Sequence, residues 1–252
     1  MNSMKAIILA AGSGTRLEKY TKKLPKALVD VNGRSIIERQ ISLLQKEGIT
    51  EIYVVRGYKK EKFTFHNAEF IDDDHYMKHD QLGSLIAAKS KISGNVLILF
   101  ADILFEDTIL KQIQSIKAEV AISVDLNWKN SYELRTDNYA SEADKVLMNN
   151  GKIIEISKNI QSEGTDKDIG EFLGIIKLSE VGSKSLSDKL EKLENFHEGK
   201  FHDAVSFDNA KLVDILQELV ESKINIIPVI IKGKWCEIDT PMDLELAEKL
   251  FK

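Results

Sequence analysis

The sequence predicts an α/β fold with a mainly parallel, mixed sheet flanked by helices. Two observations carry that expectation. Short apolar runs rich in Ile, Val and Leu alternate along the chain with amphipathic stretches of helical period. The composition, 43% hydrophobic and 30% charged, is that of an ordinary globular chain with enough apolar material for a core.

Taken in order, Ala6–Leu9 is a buried strand, and a Gly-rich turn follows it. Ile36–Lys46 places Ile36, Ile37, Ile41, Leu43 and Leu44 at helical spacing, and Gly48 marks its stop. Glu51–Val55 is a strand, Leu82–Lys89 a helix, Asn95–Phe100 a strand, Thr108–Ile116 a helix and Glu119–Val124 a strand. Beyond residue 125 the pattern loosens. Strands are expected at Ala143–Met148, Lys152–Ser157, Phe172–Lys177 and Ile226–Ile231, with helices at Ser183–Glu194, Asn209–Ser222 and Asp243–Phe251. The three prolines form no linker, so 1–252 reads as one domain. A soft boundary falls near residue 125, and the second half is expected to add strands and helices that cover a substrate.

Several classes are excluded on composition. The longest apolar stretches, Ile7–Ala11 among them, fall far short of the roughly 20 residues of a membrane helix. The N-terminal apolar run passes straight into a glycine turn, which reads as a strand rather than a signal peptide. The single cysteine, Cys236, allows no disulfide framework and no cysteine-rich metal site, and fits a cytoplasmic setting. With 35 basic and 40 acidic residues the net charge is −5, so no overall positive field draws the chain to nucleic acid or an anionic membrane. The expected partners are small molecules; a homo-oligomer is left open.

The exception to that charge balance is local. Leu9, Ala10, Ala11, Gly12, Ser13, Gly14, Thr15 and Arg16 follow the first strand, and Pro25-Lys26 follows in turn. Residues 14–26 hold Arg16, Lys19, Lys22, Lys23 and Lys26 against one acid, Glu18. Small residues let backbone N–H groups approach phosphate oxygens, and basic side chains complete the neutralisation. The loop lacks the third glycine of a dinucleotide fingerprint. The Gly-Lys pairs at 151, 199 and 233 lack the Ser or Thr of a P-loop.

This pattern resembles the signature of the nucleotidyltransferase superfamily that activates sugar phosphates and phosphocholine. The resemblance implies a Rossmann-like, GT-A-like nucleotide-diphospho-sugar transferase fold, with the loop wrapping a nucleoside triphosphate and Arg16 and Lys26 touching phosphates. Gln81, Gly83 and Ser84 look like the base-recognition segment. Ala101-Asp102 ends an apolar strand, and Glu237 and Asp239 alternate around Ile238. Asp102, at the carboxyl end of a strand where ligands sit in open sheets, is expected to be the first ligand of a hard cation such as Mg²⁺; the family places a metal-binding Asp at Asp239, with Glu237 as a ligand or a neighbour. The resemblance makes 1–125 the nucleotide-binding half and 126–252 the acceptor-binding half. Asp243 is read as the cap of the last helix.

The middle of the chain looks like the cytidylyltransferases of phosphonate biosynthesis and those acting on phosphocholine. Asp125, Trp128, Tyr132 and Glu171 are expected to receive a cationic headgroup. Arg135 is expected to hold a phosphonate, with Lys158 or Lys145 beside it. The expected reaction is CMP transfer from CTP to an alkylphosphonate such as 2-aminoethylphosphonate, with catalytic Arg16, Lys26, Asp102 and Asp239. The alternatives are a phosphocholine cytidylyltransferase, a sugar-1-phosphate nucleotidyltransferase, a non-catalytic nucleotide sensor and a glycosyltransferase. Asp72-Asp73-Asp74 is read as a solvated loop, and the five histidines show no metal-ligand spacing.

Overall fold

The computed structural model describes residues 3–132, 140–160 and 168–252. The chain runs β1 (Met4–Ala10), β2 (Asp30–Val31), β3 (Arg34–Ser35), α1 (Ile36–Lys46), β4 (Glu51–Arg56), β5 (Glu69–Asp72), α2 (Gln81–Ala87), β6 (Asn95–Phe100), β7 (Ile103–Phe105) and α3 (Asp107–Ser115). It continues with β8 (Val120–Asp125), α4 (Trp128–Tyr132), β9 (Lys145–Asn149), β10 (Lys152–Ser157), β11 (Asp168–Leu178), α5 (Glu180–Phe196), α6 (Leu212–Glu221), β12 (Ile226–Ile230), β13 (Trp235–Glu237) and α7 (Pro241–Leu250).

Both halves of the chain feed one nine-stranded sheet, with the order β10-β9-β11-β6-β1-β4-β5 and β8 joining β11 to β12. The strands of the first half, β5, β4, β1 and β6, are parallel. Of these, β1 and β6 read as continuous apolar runs because helices cover both faces: Ala6–Ala10 and Val96–Phe100 are buried throughout. In the second half, β11 runs antiparallel to β6, β8 and β9, so the sheet is more evenly mixed than the sequence suggested. Strand direction leaves no direct mark on composition, so this change was not legible.

β11 bends where its register against β8 shifts, between Phe172 and Ile176. Gly174 sits there at φ +82°, and a Cβ on it would come within 2.1 Å of the Phe100 ring. The bend carries Glu171–Leu173 to the carboxyl ends of β1 and β6, where ligands sit in open α/β sheets.

Helix ends follow their local chemistry. Ser35 and Glu38 form a capping box at α1, and Thr240 and Asp243 form another at α7, with Pro241 in its first turn. A second, smaller core of Leu17, Val29, Val31, Ile36, Leu104, Cys236, Ile238, Leu244 and Ala247 ties the glycine loop to β13 and α7. Edge strand β5 and the two- and three-residue strands β2, β3 and β7 escaped the sequence reading. β5 carries acids at both ends, and the others are too short to show a period. Among the described residues, no helix is long and apolar enough to cross a membrane.

Candidate active site

A cavity of about 380 Å³ opens at the carboxyl ends of β1 and β6. Its floor is the glycine loop: Leu9, Ala10, Ala11, Gly12, Gly14, Thr15 and Arg16 line it, and Ser13 lies outside the lining. Gly14 has φ +63°, and a Cβ there would meet the Lys26 Cβ at 2.6 Å, so glycine is required on both counts. The turn is fixed by the Leu17 N–H on the Gly14 carbonyl (3.0 Å) and the Thr21 hydroxyl on the same oxygen (2.8 Å). Leu17, in the place of a dinucleotide fingerprint's third glycine, is fully buried and anchors the loop to the second core.

One wall carries the acids. Asp102 follows β6 in a turn clamped by Gln40 of α1, whose amide donates to the carbonyls of Phe100 (2.8 Å) and Ile103 (2.7 Å). Along 235–239, Trp235, Glu237 and Asp239 line the cavity while Cys236 and Ile238 are buried in the second core. The Ile238 N–H donates to the Asp102 carbonyl (2.9 Å), which couples the two acidic segments. Asp243 accepts from the Asp239 (3.1 Å) and Thr240 (2.9 Å) N–H groups, so the expected helix cap also sets the position of Asp239.

Lys26 joins these acids. Its Nζ lies 2.7 Å from Asp102 Oδ2 and also pairs with Asp239, while Arg16 Nη2 lies 2.7 Å from Asp239 Oδ2. Burial favours the neutral amine, but Asp102, Asp239 and Glu237 outweigh it and hold the Lys26 ammonium above its ordinary range. The Glu237 carboxyl is pushed well above its usual value, first by burial and then by Asp239 and Asp102, with Lys26 opposing. Carboxylate oxygens of Asp102, Glu237 and Asp239 lie within 4.8 Å of one another. Asp102 Oδ1 is sealed from solvent and accepts no hydrogen bond among the described residues. An all-oxygen set with an unsatisfied carboxylate oxygen fits a hard divalent cation such as Mg²⁺.

A third wall is the start of α2. Gln81 and Ser84 line the cavity, with Tyr76, His79 and Asp80 beside them; Gly83 does not line it. A Cβ on Gly83 would come within 2.2 Å of the His79 ring, so this glycine makes room for a side chain rather than facing a ligand. Asp73 is buried, contrary to its reading as part of a solvated run. It accepts from the Ser84 hydroxyl (2.8 Å), and His79 Nε2 lies 3.0 Å from its other oxygen. Asp72 and Asp74 do face solvent, paired with Arg56 and Lys60.

The remaining wall belongs to the second half of the chain: Glu142, Asp144, Lys158, Glu171, Phe172, Leu173 and Lys211. Here three expectations are corrected. Trp128 and Tyr132 lie outside the cavity lining, packed with Ala143 in a small cluster behind it. Each buries its ring and commits its polar tip: the Trp128 indole N–H donates to the Ile169 carbonyl (3.0 Å), and the Tyr132 hydroxyl donates to Glu171 Oε1. Asp125 also lies outside, accepting from the Trp235 indole N–H (2.8 Å) and the Asn127 N–H (2.7 Å). These residues hold Glu171 and Trp235 in place. Lys145 turns to the Lys158 carbonyl (2.7 Å). Arg135 lies outside the described residues. Among the residues that line the cavity, Trp235, Asp144, Lys211 and His79 were missed as site residues. Only Trp235 had a legible signal, the same two-residue alternation that gave Glu237 and Asp239.

The chain is similar to known nucleotidyltransferases. The model of the MobA-like NTP transferase domain matches residues 6–152. The chain is 32% identical over 254 residues to the CTP:phosphoglutamine cytidylyltransferase of Campylobacter jejuni, covering 96% of this chain and 98% of that protein. It is 39% identical over 108 residues to the choline-phosphate cytidylyltransferase of Streptococcus pneumoniae, covering 41% of this chain and 47% of the other. Among solved structures, the CTP:phosphocholine cytidylyltransferase from Streptococcus pneumoniae superposes with a TM-score of 0.75 at 22% identity, over 99% of this chain and 100% of that one. The inositol-1-phosphate CTP transferase from T. maritima gives 0.74 at 20%, over 99% and 97%.

Proposed function

Because the chain belongs to the nucleotidyltransferases built on the MobA-like NTP transferase domain, we propose that it transfers CMP from CTP to a small phosphorylated or phosphonylated acceptor. The observation that carries this reading is Lys26 joining Asp102 and Asp239 beside Arg16 at the mouth of the glycine loop. CTP is favoured over other triphosphates because a relative 32% identical over nearly the full length of both chains, and two structural neighbours, are named for CTP. Their named acceptors, phosphoglutamine, phosphocholine and inositol-1-phosphate, are all small and phosphorylated. An alkylphosphonate such as 2-aminoethylphosphonate remains within that class, although Trp128 and Tyr132, the aromatic residues that favoured it, lie outside the cavity lining.

The chemistry follows from charge. An acceptor phosphoryl oxygen attacks the α-phosphorus of CTP in line; an O–P bond forms, the bridge to the β-phosphate breaks, and pyrophosphate leaves with the bonding pair. The acceptor oxygen is already anionic near neutral pH, so no side chain has to remove a proton. The work of the protein is positioning and neutralisation. Backbone N–H groups of Gly12–Thr15 receive the triphosphate, and Arg16 and Lys26 neutralise charge on the leaving and transferred groups. Asp102 and Asp239, with Glu237 beside them, would hold Mg²⁺, which supplies Lewis-acid neutralisation of phosphate charge.

Pyrophosphate release tests the reading. CTP, UTP, ATP and GTP are each paired with 2-aminoethylphosphonate, phosphocholine, phosphoserine and glucose-1-phosphate. Turnover restricted to CTP is expected. Turnover with UTP and glucose-1-phosphate would instead make the protein a sugar-phosphate enzyme, and no turnover with any pair would favour a nucleotide sensor.

A further inference from the structure

We propose that the ring of Tyr76 is the platform on which the base of the nucleotide stacks. This deepens the reading above and rests on it only for a nucleoside triphosphate whose phosphates occupy the glycine loop.

The chemistry of the walls is the first observation. Two sides of the cavity carry lysine or arginine among carboxylates: Arg16 and Lys26 on one, Lys158 and Lys211 on the other. Charged phosphates and a charged acceptor belong on those sides. The side formed by Tyr76, His79, Asp80, Gln81 and Ser84 carries neither lysine nor arginine. Its one carboxylate, Asp80, accepts the Gln81 N–H (2.7 Å) and caps α2. A ring, an amide and a hydroxyl suit a flat, neutral, hydrogen-bonding group, and the base is that part of a nucleotide.

The ring itself is the second observation. Tyr76 is half-buried and lines the cavity. Among the described residues it meets no other ring and no cation, and its hydroxyl bonds nothing. The other two rings of the lining are placed differently. Phe172 is buried and packs edge-on against Phe100, with centroids 6.0 Å apart. Trp235 stands on the acidic segment beside Glu237 and donates to Asp125.

The third observation is that the fold makes room for the Tyr76 ring and holds it. A Cβ on buried Gly57 would come within 2.7 Å of Tyr76 Cβ and Cγ, atoms too near the backbone to move aside. Tyr58, next to Gly57, donates its N–H to the Ala11 carbonyl (3.0 Å), which ties this support to the glycine loop. The turn 73–80 that carries Tyr76 is pinned at both ends. The Asp73 N–H donates to the Arg56 carbonyl (2.9 Å), and the Asp80 N–H to the Asp208 carbonyl (2.9 Å). Buried Asp73 also accepts from the His75 N–H (3.2 Å) and the Ser84 hydroxyl (2.8 Å), joining the turn to α2. A ring fixed before the ligand arrives gives up little freedom on binding. Every base has a π face, so this ring supplies affinity for the nucleotide and does not choose among bases.

Calorimetry on Tyr76→Ala, Tyr76→Phe and Gly57→Ala tests the platform. The ligands are CTP, CMP and inorganic tripolyphosphate, which has the phosphates without the base. Kd is read with the number of sites fitted, so a partly folded sample does not alter it. Tyr76→Ala and Gly57→Ala should each weaken CTP and CMP by about tenfold and leave tripolyphosphate within about twofold. Tyr76→Phe keeps the ring and should stay within about twofold of the wild-type protein for all three. Equal losses for all three ligands, a loss in Tyr76→Phe as large as in Tyr76→Ala, or a raised KM for the acceptor at unchanged CTP affinity would overturn the platform. CTP turned over by the wild-type protein and bound normally by Tyr76→Ala would remove the platform and leave the cytidylyltransferase standing. The selective loss, in a protein that turns over no triphosphate, would remove the activity and keep the platform.

Discussion

Replacing Asp144 by Asn should stabilise the protein, and only above a definite pH. The Asp144 carboxyl titrates at about 6 in the folded chain against an ordinary 3.8. Burial is the main cause; Lys158 and Lys211 pull the other way, and Asp214 and Asp80 push with it. A shift of about two units at about 1.4 kcal/mol each makes the ionised group cost about 3 kcal/mol of folding stability. The sign follows from linkage. The folded state holds this proton more tightly than the unfolded state, so the cost is absent below about pH 4, grows as pH rises, and is complete above about pH 6. Asn keeps the shape and cannot ionise. Urea unfolding of both proteins from about pH 4 to about pH 8 should show the variant gaining up to about 3 kcal/mol at the upper end and little at the lower. A difference that does not change with pH, or a less stable variant at pH 8, would refute the argument that burial of this charge is the cost.

Other perturbations probe the remaining walls. Asp102→Asn and Asp239→Asn should each lower turnover by about 10²-fold or more with little change in circular dichroism, and chelation of divalent cations should do the same to the wild-type protein. Gly83→Ala forces a Cβ into the His79 ring; about 1–3 kcal/mol of stability should be lost in urea unfolding, and KM for CTP should rise more than KM for the acceptor. Tyr132→Phe removes the donor on Glu171; it should cost about 1–3 kcal/mol in the same unfolding assay and raise KM for the acceptor rather than for CTP.

What the sequence disclosed and what it hid divide along physical lines. The glycine loop, Lys26, Asp102 and the Glu237–Asp239 pair lie in short contiguous motifs, and the two-residue alternation around Ile238 assigns faces directly. The parallel strands β1, β4 and β6 are legible because burial on both faces writes an apolar run. Four other features depend on partners far along the chain. Trp128 and Tyr132 read equally well as ligand contacts or as packing until the positions of Ile169 and Glu171 decide between them. Asp73 sits in an acidic run that looks solvated, and only the approach of Ser84 and His79 shows that it is buried. Gln40 occupies a core position of an amphipathic helix, where a polar residue looks like an interruption; its two carbonyl partners flank Asp102. Lys211 stands at the head of α6 and enters the acceptor wall only through the tertiary fold.

The account turns on one claim, that the cavity joins the α-phosphate of CTP to an acceptor oxygen. Incubation with CTP labelled at the α-phosphorus, Mg²⁺ and, in turn, 2-aminoethylphosphonate, phosphocholine, phosphoserine and glucose-1-phosphate tests it most directly. The label should move into a new compound that contains the acceptor, with one unlabelled pyrophosphate released per transfer and no transfer in the Asp102→Asn variant. Label recovered as free CMP, or retained in CTP while the acceptor remains unmodified, would contradict it.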